Sequence, residues 1–217
     1  MKKIVQIVFL ACGLLLMTAA FPVFAQENKP REIVINKEPV EDFVETVKQK
    51  LAAKKIDLSA PFLVRLKGVL NEDGKFDSAK SVYVKSEGNE QMIRIAKDFI
   101  EAINASGSFG YLRNLGVEKM TFTLVQDGNQ IYADIVSEQE TVEKARTSAS
   151  AFDTFLRMIS LMDERKLKRL SEDERILFQG VTANNENKNL TLKFTYQKSV
   201  IQEIINRKLK ELEQKKG

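Results

Sequence analysis

Histidine and tryptophan are absent from the 217 residues, cysteine occurs once, as Cys12, and proline only four times. Without histidine the chain lacks the commonest general base near neutral pH and the commonest metal ligand, and every His-containing triad or dyad is excluded. The lone cysteine excludes an intrachain disulfide. It also lies in an amino-terminal run read below as removed, so the mature chain carries no thiolate nucleophile and no zinc thiolate site. What remains for catalysis is carboxylate or Ser–Lys chemistry. An excess of one charge is missing too. The formal charge is +4, and loss of Lys2 and Lys3 leaves 32 basic against 30 acidic residues, or +2. A balance this close offers no clustered basic face for nucleic acid or an anionic membrane.

What is present is the composition of a folded domain. Hydrophobic residues make up 43% and charged residues 29%, the proportions of a globular chain, and the length suits one ordinary core or two small ones. Residues 1–25 have the form of a secretory signal peptide. Lys2 and Lys3 give a positive start, Ile4 to Met17 an apolar run, and Pro22-Val23-Phe24-Ala25 a small-residue cleavage site before Gln26. An uncleaved anchor is the alternative, because Ile4 to Phe24 is nearly long enough to span a bilayer; Pro22 and the small residues favour cleavage. Cys12 does not read as an acylation site, since Phe9-Leu10-Ala11 precede it and a further apolar stretch follows. Residues 26–39, with Pro30 and Pro39, read as a linker, and 40–60 as an N-terminal helical segment with Val40, Phe43, Val44, Val47 and Leu51 on one stripe.

The remainder repeats one pattern: strand, turn, strand, helix. In the central unit, 118–170, Met120, Phe122 and Leu124 alternate with Thr121 and Thr123, and Ile131, Ala133 and Ile135 alternate with Tyr132 and Asp134. Asp127-Gly128 between them predicts a type I′ hairpin turn. Ser137 with Glu140 predicts a capping box, and Val142, Ala145, Ala149, Phe152, Leu156 and Ile159 share a helix face. The first unit, 61–117, has a strand over Phe62 to Leu70, a turn at Asn71 to Gly74 and a return strand over Phe76 to Val84. A helix over Asn89 to Ala105 follows, ended by Ser106-Gly107-Ser108, then a connector over Phe109 to Val117. In the third unit, 171–217, Ser171 with Glu174 predicts a capping box. Arg175 to Ala183 and Asn189 to Tyr196 are its strands, with Asn184 to Lys188 as the loop. Ser199 with Gln202 caps a last helix bearing Ile201, Ile205, Leu209 and Leu212. The predicted fold class is therefore α+β: repeated ββα units forming an antiparallel sheet with helices packed on one face.

The order strand, Asp73-Gly74-Lys75, strand ending Val82-Tyr83-Val84, Lys85-Ser86-Glu87-Gly88, helix from Met92 resembles the C-terminal domain of TonB-family energy transducers. The resemblance covers about residues 61–135. It implies a similar local fold and an envelope location. Family members usually carry an uncleaved anchor, a long proline-rich spacer and a proline after the helix, whereas this chain has few prolines and Ser106-Gly107-Ser108 at that place.

Three functions compete. The first is a non-enzymatic periplasmic protein-interaction module that binds another envelope protein through an open sheet edge or outer helix faces. The second is a carrier or sensor of an apolar small ligand, with Met92, Phe99, Phe152 and Phe155 lining the pocket. The third is a hydrolase using Asp73, Asp127 or Asp134, although turn chemistry and an exposed strand face account for those acids. The first is the expectation adopted. No catalytic, cofactor-binding or metal residues are assigned, no cofactor and no nucleic-acid partner are expected, and membrane contact follows only if residues 1–25 are retained. A TonB-like energy-transducing role would require that retention.

Overall fold

The computed structural model describes residues 34–53, 56–165, 170–204 and 207. The predicted signal peptide with Cys12, most of the linker, Lys54, Lys55, residues 166–169, Ile205 and the tail from Lys208, with Leu209 and Leu212, lie outside these residues.

Six strands come from three hairpins: β1 (Phe62–Val69) with β2 (Val82–Gly88), β3 (Lys119–Gln126) with β4 (Gln130–Glu138), and β5 (Val181–Glu186) with β6 (Asn189–Gln197). They share one antiparallel sheet of order β2-β1-β3-β4-β6-β5. The protein is thus α+β, and its three units build a single sheet. Alternation decides which side is covered. Val64 and Leu66, Phe122 and Leu124, Ala133 and Ile135, and Leu190, Leu192 and Phe194 all fall on one face and are buried in one continuous core. Each of these side chains except Ala133 contributes about 1.5–3 kcal/mol on leaving water.

Helices close that face. The helix α1 (Glu38–Ala52) precedes the sheet, and α2 (Glu90–Ser106) follows β2 and lies over β1 and β2. It begins where the Asn89 side chain accepts the N–H groups of Gln91 and Met92, and it ends at Gly107, whose φ of 79° is the left-handed stop that glycine adopts without cost. Met92, Ile95, Ala96, Phe99, Ile100 and Ile103 form its buried stripe. A short α3 (Gly110–Asn114) interrupts the expected connector, with Leu112 inside the core. The helix α4 (Val142–Glu164) covers β5 and β6, α5 (Glu172–Gln179) leads into β5, and α6 (198–204) leaves β6 directly and buries Ile204. The helix α1 packs on α2 through Phe43 and Phe99, 5.6 Å between ring centroids.

Several local expectations are corrected, each for a physical reason. Phe76 makes only an isolated bridge to Leu70, so the return strand starts at Val82. The Asp77 carboxylate accepts the Ala79 N–H and its carbonyl the Lys80 N–H, which turns the chain out of the sheet. The Asp127 carboxylate accepts the N–H groups of Asn129 and Gln130, giving an Asx-type turn over Asp127–Asn129; neither Asp127 nor Gly128 has the positive φ of a type I′ turn. Ser137 remains in β4, and Thr141 caps α4 by accepting the Lys144 N–H. Val142 is consequently 51% exposed, and Phe155 joins the buried face. The Ser171–Glu174 box forms as expected, but the helix that it starts consumes Arg175 to Gln179, so β5 begins only at Val181. The third turn shrinks to Asn187-Lys188, with Asn187 at φ 52°. Ser199 lies inside α6 instead of capping it, since the chain is already fixed where the Lys198 N–H meets the Asn129 carbonyl. Pro39 belongs to the first turn of α1, where its missing N–H costs nothing, and the helix stops at Ala52. The rest of the predicted 40–60 helix becomes a loop held by the Gln126 Nε2, which donates to the carbonyls of Leu58 and Ala60 at 2.8 Å each.

Candidate functional site

Among the described residues the sheet has two margins without a neighbouring strand, β2 and β5, and one face without a helix. On that open face the alternate residues form rows across the strands, among them Lys85, Arg65, Thr123, Asp134, Lys193 and Thr182. The Arg65 Nε donates to Thr123 Oγ1 at 3.2 Å, which lays the guanidinium along the sheet. The row mixes both charges and is no dedicated basic patch.

The β2 margin differs from β5 in chemistry. Its Val82 is 57% and its Val84 45% exposed, two of five large apolar side chains exposed among the described residues. The outermost stretch of β5 is Asn184-Asn185-Glu186, polar throughout. A register shift opposite Arg65 and Leu66 leaves Val84 as an extra residue, so Lys85 pairs with Arg65 while Tyr83 pairs with Leu66. That bulge re-aims a side chain: Tyr83 points to the helix side of the sheet.

Beneath this margin a groove of about 450 Å³ separates β2 from α2. Its apolar side is made by Leu66, Phe76 and Val82, its polar side by Tyr83, Glu101 and Asn104, with Ser78 and Ser81 at the loop end. Phe76 is held from below by Phe109, 4.8 Å away, which in turn meets Phe122 at 6.3 Å. Its N–H donates to Asn104 Oδ1 at 2.6 Å. The Tyr83 hydroxyl donates to Glu101 Oε1 at 3.1 Å. Burial, then the negative charges of Glu101 and Asp98, push the Tyr83 phenol well above its usual range, so it stays a neutral donor at any ordinary pH. The Lys97 ammonium sits 4.8 Å from the centre of the Tyr83 ring. Glu101 has no ion-pair partner among the described residues, and the Asn104 Nδ2 has no hydrogen-bond acceptor there.

The acids considered for hydrolysis are not brought together. Asp127 follows the β3 end that pairs with Phe62, whereas Asp73 lies past the opposite end of β1, about 25 Å along strands that rise ~3.3 Å per residue. The Asp127 carboxyl is held below its usual range by the two N–H groups of its own turn. Asp134 stands between Thr123 and Lys193 on the open face. Among the described residues no group of three or more Asp, Glu, His or Cys is placed to hold a metal ion. Met92, Phe99, Phe152 and Phe155 are all packed inside the core, and none of them borders the groove. Its polar residues escaped the sequence pattern because Phe76 and Asn104 are 28 positions apart; the only hint was Val82-Tyr83-Val84, three strand formers beside each other. No described helix is long and apolar enough to cross a membrane. No family model, no curated protein and no solved structure matches this chain.

Proposed function

We propose that the protein is a non-enzymatic periplasmic interaction module that binds another envelope protein by adding a strand to its sheet. One observation carries the reading: among the described residues no strand pairs with the outer edge of β2, whose Val82 and Val84 are exposed. Natural sheets guard such edges with charge, brevity or bulges, and here Lys85 and the bulge at Val84 narrow what can pair without removing the apolar contact. Main-chain hydrogen bonds supply affinity in this mode and the alternate side chains supply specificity. The absence of histidine, the amino-terminal pattern of residues 1–25 and the partial TonB-like order of 61–135 agree with a non-catalytic envelope role.

The test is site-specific photo-cross-linking in cells, with the photoreactive residue at Val84 or at Thr182 on the opposite margin. The expected outcome is one defined adduct from Val84, mapped to an extended segment of its partner, and none from Thr182. Adducts of equal yield from both margins, or none from either, refute strand addition at β2.

A further inference from the structure

Resting on that strand-addition reading, we infer that the partner segment carries a lysine or arginine that enters the groove between β2 and α2, flanked along the strand by β-branched or aromatic residues. A strand laid beside β2 sends alternate side chains toward its helix side, where the groove lies. There the matching chemistry is uneven in a useful way. Phe76, with Leu66 behind it, gives an apolar wall for the methylene stem of a long basic side chain. At the end of that wall stands the Glu101 carboxylate, which accepts only the Tyr83 hydroxyl and has no cation paired to it among the described residues.

The Lys97 ammonium sits over the Tyr83 ring and makes no ion pair with Glu101. Asp98 adds negative charge near the same phenol, although Lys50 meets it at 3.7 Å. The Asn104 Nδ2 is left to donate to a main-chain carbonyl of the incoming segment. An acidic side chain would instead face the Glu101 carboxylate, which has no ion-pair partner among the described residues. Charge therefore selects a basic residue, and the apolar lip selects its neighbours.

Random dodecamer peptides displayed on phage and selected on the whole chain test this. The expected consensus alternates β-branched or aromatic residues with one lysine or arginine. A synthetic consensus peptide should lose about tenfold in affinity on Glu101→Gln, the loss of one charge-assisted bond, with the circular dichroism spectrum unchanged. The same peptide with glutamate in place of its basic residue should bind the parent no better than it binds Glu101→Gln. Peptides without a basic residue that ignore Glu101→Gln but are lost on Val84→Asp overturn this inference while leaving strand addition standing. Peptides indifferent to both substitutions overturn both. A chain that dimerises through β2, with the dimer lost on Val84→Asp and no peptide selected, assigns the margin to a second copy and overturns the basic-segment proposal.

Discussion

Asp73-Gly74 and Asp127-Gly128 are one dipeptide used at two hairpins, and alanine in place of the glycine should act with opposite sign. Gly74 has φ +70°, and a Cβ built on it lies 2.2 Å from Gly110 Cα and 2.4 Å from Gly110 N. Two costs follow. Left-handed backbone costs alanine about 1–2 kcal/mol. The overlap is with main chain at the start of α3, which cannot swing aside as a side chain can, and overpacking of this kind costs about 1–3 kcal/mol. Together Gly74→Ala should lose about 2–5 kcal/mol. At roughly 2–4 °C per kcal/mol for a chain of this size, that lowers Tm by about 4–20 °C. Gly128 lacks positive φ, and nothing lies within 4 Å of its built Cβ. There alanine merely restricts the unfolded chain, so Gly128→Ala should be neutral or gain up to about 1 kcal/mol. Urea denaturation with a shared m value measures both. A Gly74→Ala protein within about 0.5 kcal/mol of the parent would refute the backbone-contact reasoning.

Phe109 is fully buried and joins Phe76 to Phe122, so Phe109→Ala should cost about 3–5 kcal/mol by the same urea assay; a loss under 1.5 kcal/mol would mean the site collapses around the gap. Because Phe76 walls the groove, that variant should also weaken any peptide bound at β2. The Asp163 carboxyl is held below its usual range by the Arg175 guanidinium first and the Leu170 N–H second, with its side chain only 12% exposed. A depressed carboxylate stabilises the fold above its unfolded pKa of about 3.9 and stops doing so as pH falls through the folded value. The stability gap between parent and Asp163→Asn should therefore be constant from pH 7 to 5 and shrink below about pH 4. A gap independent of pH down to 2.5 would contradict the assignment.

The sequence carried the fold where the signals were local. Ser171 caps its helix because its side chain reaches the N–H three residues on, and strand alternation named the covered face of β1, β3, β4 and β6 correctly. It misled where one local signal served two outcomes. Arg175 to Gln179 is plausible as a strand or as the continuation of a capped helix, and packing of Leu177 against the core selects the helix. Asp-Gly permits a type I′ turn, but Asp127 satisfies its neighbours' N–H groups with its own carboxylate. The groove was illegible for a different reason. It exists because an Asn104 oxygen accepts the Phe76 N–H across the α2 interface and because a single extra residue at Val84 rotates Tyr83. No periodicity records either event.

Strand order also governs the sequence in which the sheet closes. The strands β1 to β4 are complete by residue 138, but β6, which flanks β4 on its far side, begins at Asn189. A chain synthesised amino end first therefore holds β4, with Ile131, Ala133 and Ile135, as a temporary margin. The margin of the growing sheet is thus a strand that is interior once the chain is finished. The last unit acts as its seal, while the edge left open for a partner, β2, lies at the opposite end of the sheet.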